Sequence, residues 1–143
     1  MKRQWLLIAG LLIVVAAIVT FTALANLRRH AEAVNCGNQM IAIGYASRSW
    51  ANDNGGTLPP NLSTMSNEII ALKILICPGD HSRRPATNWS LLTTNDSSYQ
   101  MVASGSNSVE STGVFMRCPA HGFIMRMDGA VFNGDKRLSK NVW

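Results

Sequence analysis

The feature that most constrains this chain is a charge-free, largely apolar run from Trp5 to Leu27, bracketed by Lys2-Arg3 and Arg28-Arg29. At about 1.5 Å rise per residue, a helix of that length crosses a hydrocarbon core of about 30 Å, so the chain is expected to be membrane-anchored. Two other readings exist. A cleaved signal peptide would use Ala23-Leu24-Ala25 as its small-x-small site, but its apolar centre would be shorter; a buried core helix is the least favoured of the three. The flanking charges are nearly symmetric and barely decide orientation. Cys36, Cys77 and Cys118 all follow the anchor, two of them in Cys-Pro pairs, which suits an oxidising compartment and places the N-terminus inside and the remainder outside.

Residues 28–143 are enough for one small domain and not for two. The net charge of +5 is spread rather than concentrated. Arg83-Arg84 and Lys136-Arg137 are the only basic pairs beyond the anchor and have no interleaved aromatics, so a solvated surface is expected and no nucleic-acid partner.

Helix signals continue past the membrane. From Leu27 to Trp50 there is no Pro, and Ala33, Met40, Ile43 and Trp50, with Ile41 and Tyr45 beside them, recur at amphipathic spacing. Gly37 and Gly44 weaken that stretch without breaking it. Asp53-Asn54-Gly55-Gly56 and then Pro59-Pro60 stop it. The spacing therefore predicts one helix of about 50 residues, half in lipid and half packed on a domain. Met65, Ile69, Ile70 and Leu72 predict a short second helix. Ile74 to Cys77, Ser98 to Val102 and Val114 to Cys118 read as strands. Phe123 to Met127 and Ala130 to Phe132, joined by Asp128-Gly129, read as a hairpin with a two-residue turn. The polar segment from Ala103 to Thr112 reads as a mobile loop. The expected organisation is a basic tip and transmembrane helix over 1–27, an extramembrane continuation over 28–54, and a small α+β head over 55–143. The fold class is α+β, a long helix packed on a small antiparallel sheet.

The stretch from Cys36 to Ala46, through Trp50-Ala51-Asn52-Asp53-Asn54-Gly55-Gly56 and Leu58-Pro59, resembles the helix end of prepilin-like bacterial proteins, including type II secretion pseudopilins. Ile76-Cys77-Pro78-Gly79-Asp80 agrees with it. So does Cys118-Pro119-Ala120-His121 leading to Asp128-Gly129, which is similar to the family's C-terminal His followed by an Asp-Gly turn at shorter spacing. The resemblance implies a pilin-like fold and a single-pass protein of the bacterial inner membrane, with a cytoplasmic N-terminus and a head in the periplasm or on a surface filament. It also implies assembly with copies of itself or other pilin-like subunits through the N-terminal helix, here Trp5, Leu6, Leu7, Gly10, Leu11, Leu12, Val15, Ile18 and Phe21. Gly10-Leu11 is the corresponding processing site. The sequence departs from the family there: no acid lies between Met1 and Arg29, whereas the family places a Glu five positions after the cut to neutralise a neighbour's N-terminal amine in an apolar core.

Three cysteines allow one disulfide and a leftover thiol. Cys77 and Cys118 each close an expected strand and precede Pro, which favours their pairing; it would close a loop of about 40 residues, worth roughly 3 to 4 kcal/mol in the chain-entropy model. Cys36 with Cys77 is the rival. A zinc set of Cys36, Cys77, Cys118 and His121 is the less favoured reading, because Cys118-x-x-His121 and Cys77-x-x-x-His81 supply ligand spacing without the paired Cys knuckles of a zinc ribbon. No metal or other cofactor is therefore expected. His30, His81, His121 and Asp128 offer acid-base groups, but Asp128 sits where a turn demands it, and there is no nucleophile elbow, phosphate loop or carboxylate pair. Asn61, Asn88 and Asn95 match the glycosylation pattern. No enzymatic activity and no small-molecule substrate are expected. The function expected is a membrane-anchored pilin-like filament subunit; the alternative is a non-assembling tethered head that binds an envelope protein or polysaccharide.

Overall fold

A computed structural model describes residues 2–103, 105 and 113–138. Its first element, α1, runs Lys2–Asp53, 52 residues, as the sequence predicts. The chain divides into two compact units, 1–32 and 33–143.

The first unit is helical throughout its described residues. It contains an 18-residue window of mean hydropathy 2.3, none of which is buried. Trp5 is 72% exposed and Phe21 75%, and Leu11, Leu12, Val15 and Ile18 are exposed as well. Apolar residues on every side are what a helix in hydrocarbon carries, since there the solvent is itself apolar. This helix is long and apolar enough to cross a membrane. Leu6 and Leu7 lie among side chains that are not described.

The second unit is an α+β domain built on the last turns of α1. Cys36, Met40, Ile43 and Ser47 recur at intervals of four, three and four and are all buried, forming the helix face that meets the sheet. Gly37 and Gly44 lie on the same buried side, and Gly44 sits hard against the sheet: a Cβ there would come 2.8 Å from Met125 Sδ and 3.8 Å from Gly129 Cα. Trp50 is half-buried, while Tyr45 faces outward. The helix ends where Ala51 carbonyl accepts from the Gly56 N–H at 2.8 Å, with Gly55 and Gly56 at φ of 66° and 80°. Those positive values close the left-handed cap that glycine permits.

The sheet is an antiparallel meander in sequence order: β1 Gln100–Met101, β2 Val114–Cys118, β3 Phe123–Arg126, β4 Val131–Asn133 and β5 Lys136–Arg137. A bulge between Val114 and Met116 shifts the β2 register, so Phe115 and Met116 are both buried although adjacent. With Phe123, Met125 and Val131 they pack on Met40, Ile43, Leu58, Met65 and Leu75 to make one core. On the other face Arg126 lies over the Phe132 ring, 4.3 Å from its centroid.

Four expectations are corrected. The hairpin forms, but its loop has three residues: Gly129 N–H donates to Arg126 carbonyl and Arg126 N–H to Ala130 carbonyl, both at 2.9 Å, with Gly129 at φ 79°. That is a type I turn closed by a left-handed glycine. Ile74 to Cys77 is not a strand. A 3-10 turn covers Leu72–Leu75, and the Leu75 carbonyl is bonded by the Ser98 N–H at 2.9 Å instead of by a sheet neighbour. The short helix from Met65 to Leu72 is replaced by that turn and another at Leu62–Met65, and Ile70 is fully exposed. The strand expected over Ser98 to Val102 shrinks to β1. Of the loop from Ala103 to Thr112, Ser104 and residues 106–112 lie outside the described residues.

Candidate metal centre

Three elements deliver one cluster. Cys36 sits on the buried face of α1 one turn before Met40. Cys77 follows the 3-10 turn Leu72–Leu75, and Cys118 is the last residue of β2, paired in register with Phe123 of β3. His121 lies in the tight connection between those strands, where Gly122 N–H donates to Cys118 carbonyl at 2.8 Å and Gly122 takes φ 68°. The donor atoms of Cys36, Cys77, Cys118 and His121 all lie within 4.8 Å of one another. Cys36 Sγ is 3.3 Å from Cys118 Sγ, and Cys77 Sγ is 3.1 Å from His121 Nδ1.

All three cysteines are free thiols, 0 to 1% exposed. Neither the Cys77–Cys118 disulfide nor the rival Cys36–Cys77 is formed. The sulfurs belong instead to one four-donor group, because the helix face that carries Cys36 abuts the end of β2 where Cys118 emerges. The sequence-based case for the outer compartment rested on disulfide use, and it loses that support here.

The surroundings hold each donor. At Gly79 a Cβ would stand 2.8 Å from His121 Cε1 and 3.0 Å from Nε2, so only glycine leaves room for the imidazole over the Cys77-Pro78-Gly79 turn. The other side of the ring stacks on Phe123, centroids 5.5 Å apart. Tyr99 hydroxyl donates to Gln39 Oε1 at 2.8 Å and lies 3.6 Å from Cys36 Sγ. The backbone N–H groups of Gly79 and His121 are directed at the sulfurs of Cys77 and Cys118. The hydrogen bond from Cys36 pulls the Cys118 thiol below its ordinary value, whereas burial pushes the Cys77 thiol up.

No family model matches this chain, and no curated protein or solved structure matches it either. The arrangement therefore speaks through its own chemistry. Three sulfurs and one imidazole nitrogen converging in a buried site form a donor set for a borderline, tetrahedral divalent ion.

The remaining candidates lie elsewhere. His81 is exposed and outside the cluster, so the spacing Cys77-x-x-x-His81 does not describe the site. Asp128 Oδ1 accepts from the Ala130 N–H at 2.9 Å, a turn contact. Of the basic pairs, Arg83 bonds Asp80 at 3.0 Å, and Lys136 and Arg137 are exposed on β5. Sequence reasoning missed Gly79 and Tyr99. The Gly after Cys-Pro was the available signal for the first; nothing local marks the second.

Proposed function

We propose that this chain is a membrane-anchored, pilin-like structural subunit that joins copies of itself or related subunits through the N-terminal part of α1. The observation that carries the reading is that one uninterrupted helix supplies both the exposed apolar span and the buried spine of the head. A simple tether needs no such continuity. In this reading the basic tip at Lys2-Arg3 stays in the cytoplasm and the head lies in the periplasm or on a surface fibre, as in type II secretion pseudopilins, which the sequence resembles. Trp5, Leu11, Leu12, Val15, Ile18 and Phe21 offer the contact surface, with Gly10, exposed and without a side chain, permitting close approach of a second helix. The absence of an acid before Arg29 removes the family's usual charge pairing, so apolar packing is the main term for association in this case.

The test is photo-crosslinking from positions 11 and 18 of the full chain in native membranes, with sheared surface fractions run alongside. Adducts between copies or with other pilin-like chains, enriched in the sheared fraction and beginning at Leu11, support the proposal. Adducts to lipid alone, with the chain intact from Met1, overturn it.

A second reading rests on a cleft of about 590 Å³ lined by Asn61, Leu62, Leu92, Thr93, Tyr99 and Met101. Its mixed polar and apolar lining is of the kind that holds an envelope ligand, the case of a tethered binding head. Binding of a polysaccharide or protein that is lost on filling the cleft with Leu62→Trp favours this reading.

A further inference from the structure

We propose that Cys36, Cys77, Cys118 and His121 bind one Zn²⁺ ion in a closed Cys₃His site that fastens α1 to the head, a resident structural metal rather than a catalytic one. A zinc ion with sulfurs at about 2.3 Å and nitrogen at about 2.0 Å in tetrahedral geometry sets its donors roughly 3.5 to 3.8 Å apart. The observed cluster brackets those values, from 3.1 Å between Cys77 Sγ and His121 Nδ1 and 3.3 Å between Cys36 Sγ and Cys118 Sγ to an upper limit of 4.8 Å. Small side-chain rotations make the tetrahedron.

Four independent features converge on the same ion. Every cysteine of the chain is at this one point, although the three are separated by about forty residues each in sequence. Two of them open Cys-Pro turns whose amide N–H groups face the sulfur, in Cys77-Pro78-Gly79 and in Cys118-Pro119-Ala120-His121-Gly122, so the backbone supplies the hydrogen bonds that metal thiolates need. Gly79 clears the space that the imidazole fills, and Tyr99 brings a hydroxyl toward Cys36. A disulfide would use two sulfurs and leave a buried thiol and imidazole with no task, whereas zinc uses all four donors.

The binding step balances simply. Cys36, Cys77 and Cys118 enter as thiolates, any remaining thiol protons passing to solvent. His121 binds neutral through Nδ1, its remaining proton on Nε2. The loaded site carries one net negative charge, and no electron moves, because Zn²⁺ has no accessible redox change. Coordination also keeps the three sulfurs from oxidising in an outer compartment, so the site is compatible with a periplasmic head. Four protein donors fill the coordination sphere, which leaves no position for substrate water.

The experiment uses the full chain, anchor included, extracted in a mild non-ionic detergent. Metal content is measured by inductively coupled plasma mass spectrometry after gel filtration, together with the intact mass with and without alkylation. The expected result is one equivalent of zinc per chain. Cobalt exchange should give the visible bands of a tetrahedral ion and sulfur-to-cobalt charge transfer. Cys36→Ser, Cys118→Ser and His121→Ala should each fall to near-zero zinc, and His81→Ala should retain it. If a variant fails to fold, the unmutated chain decides: chelator should remove one ion and make the three thiols alkylate faster than in the loaded chain. A chain that is metal-free and takes up no cobalt, iron in place of zinc, a disulfide in the isolated chain, or zinc retained after donor loss each overturns the proposal.

Discussion

Replacing Gly37 and Gly44 separately with Ala gives a matched test of how α1 meets the sheet. In an exposed helix each change would stabilise by about 1 kcal/mol, because Gly restricts the unfolded chain least. The surroundings separate them. At Gly37 a new Cβ meets Phe123 Cε2 and Leu138 Cδ1, both at 3.9 Å, which is ordinary contact. Gly37→Ala should keep most of the gain, about 0.5 to 1 kcal/mol. At Gly44 the new methyl stands 2.8 Å from Met125 Sδ, and Met125 is wholly buried, so the sulfur has no solvent to move into. Overpacking of that kind costs about 1 to 3 kcal/mol, and after the helix gain Gly44→Ala should be destabilised by about 1 kcal/mol. The two variants should therefore differ by about 2 kcal/mol, a spread of roughly 8 °C or more in the head's melting temperature. Thermal melts of the full chain in detergent, followed by near-ultraviolet circular dichroism in one zinc-containing buffer, read this out. Equal shifts of the same sign in both variants would refute the close approach of α1 to β3.

Three further outcomes follow from named contacts. Asp80 accepts hydrogen bonds from Ser82 Oγ at 2.6 Å, Ser98 Oγ at 2.7 Å and Arg83 Nη1 at 3.0 Å, which hold its carboxyl well below the usual carboxylate range. Its contribution is thus complete above the unfolded value of about 4 and is lost as pH falls below it through the depressed native value; Asp80→Asn should cost about 2 kcal/mol at pH 7 and flatten the acid limb of a stability-versus-pH curve. Ile18→Lys places a charge mid-span at a cost of about 2.5 to 3.5 kcal/mol, and should move the chain from the membrane pellet to the soluble or degraded fraction. Tyr99→Phe removes the 2.8 Å bond to Gln39 and should lower head stability by about 1 kcal/mol in urea titration while leaving the fold intact.

Length and composition made α1 legible, because a charge-free run followed by amphipathic spacing and an Asn-Gly-Gly stop leaves few alternatives. The β2 bounds and the Asp-Gly hairpin were legible for the same local reasons. Ile74 to Cys77 misled because apolar β-branched composition does not say whether a sheet neighbour exists; here Leu75 bonds a loop. β5 was overlooked although Asn133-Gly134-Asp135 carries a turn signal, with Gly134 at φ 56°. Asn61 and Asn88 fit a glycosylation pattern, yet their Oδ1 atoms accept from the N–H groups of Thr64 and Leu91, both at 3.0 Å, and cap 3-10 turns. The four metal donors were all visible, but their convergence was not. It depends on Cys36 facing β2 across the core, which spacing within a motif cannot report.

The meander's two outer strands bear on whether heads can pair through their sheet edges. β1 and β5 are each two residues long, and β5 is Lys136-Arg137, both exposed. Among the described residues, neither rim offers a ladder long enough to template another strand, and like charges on β5 would oppose one another. Runaway edge-to-edge growth of the amyloid kind is thereby discouraged at the head.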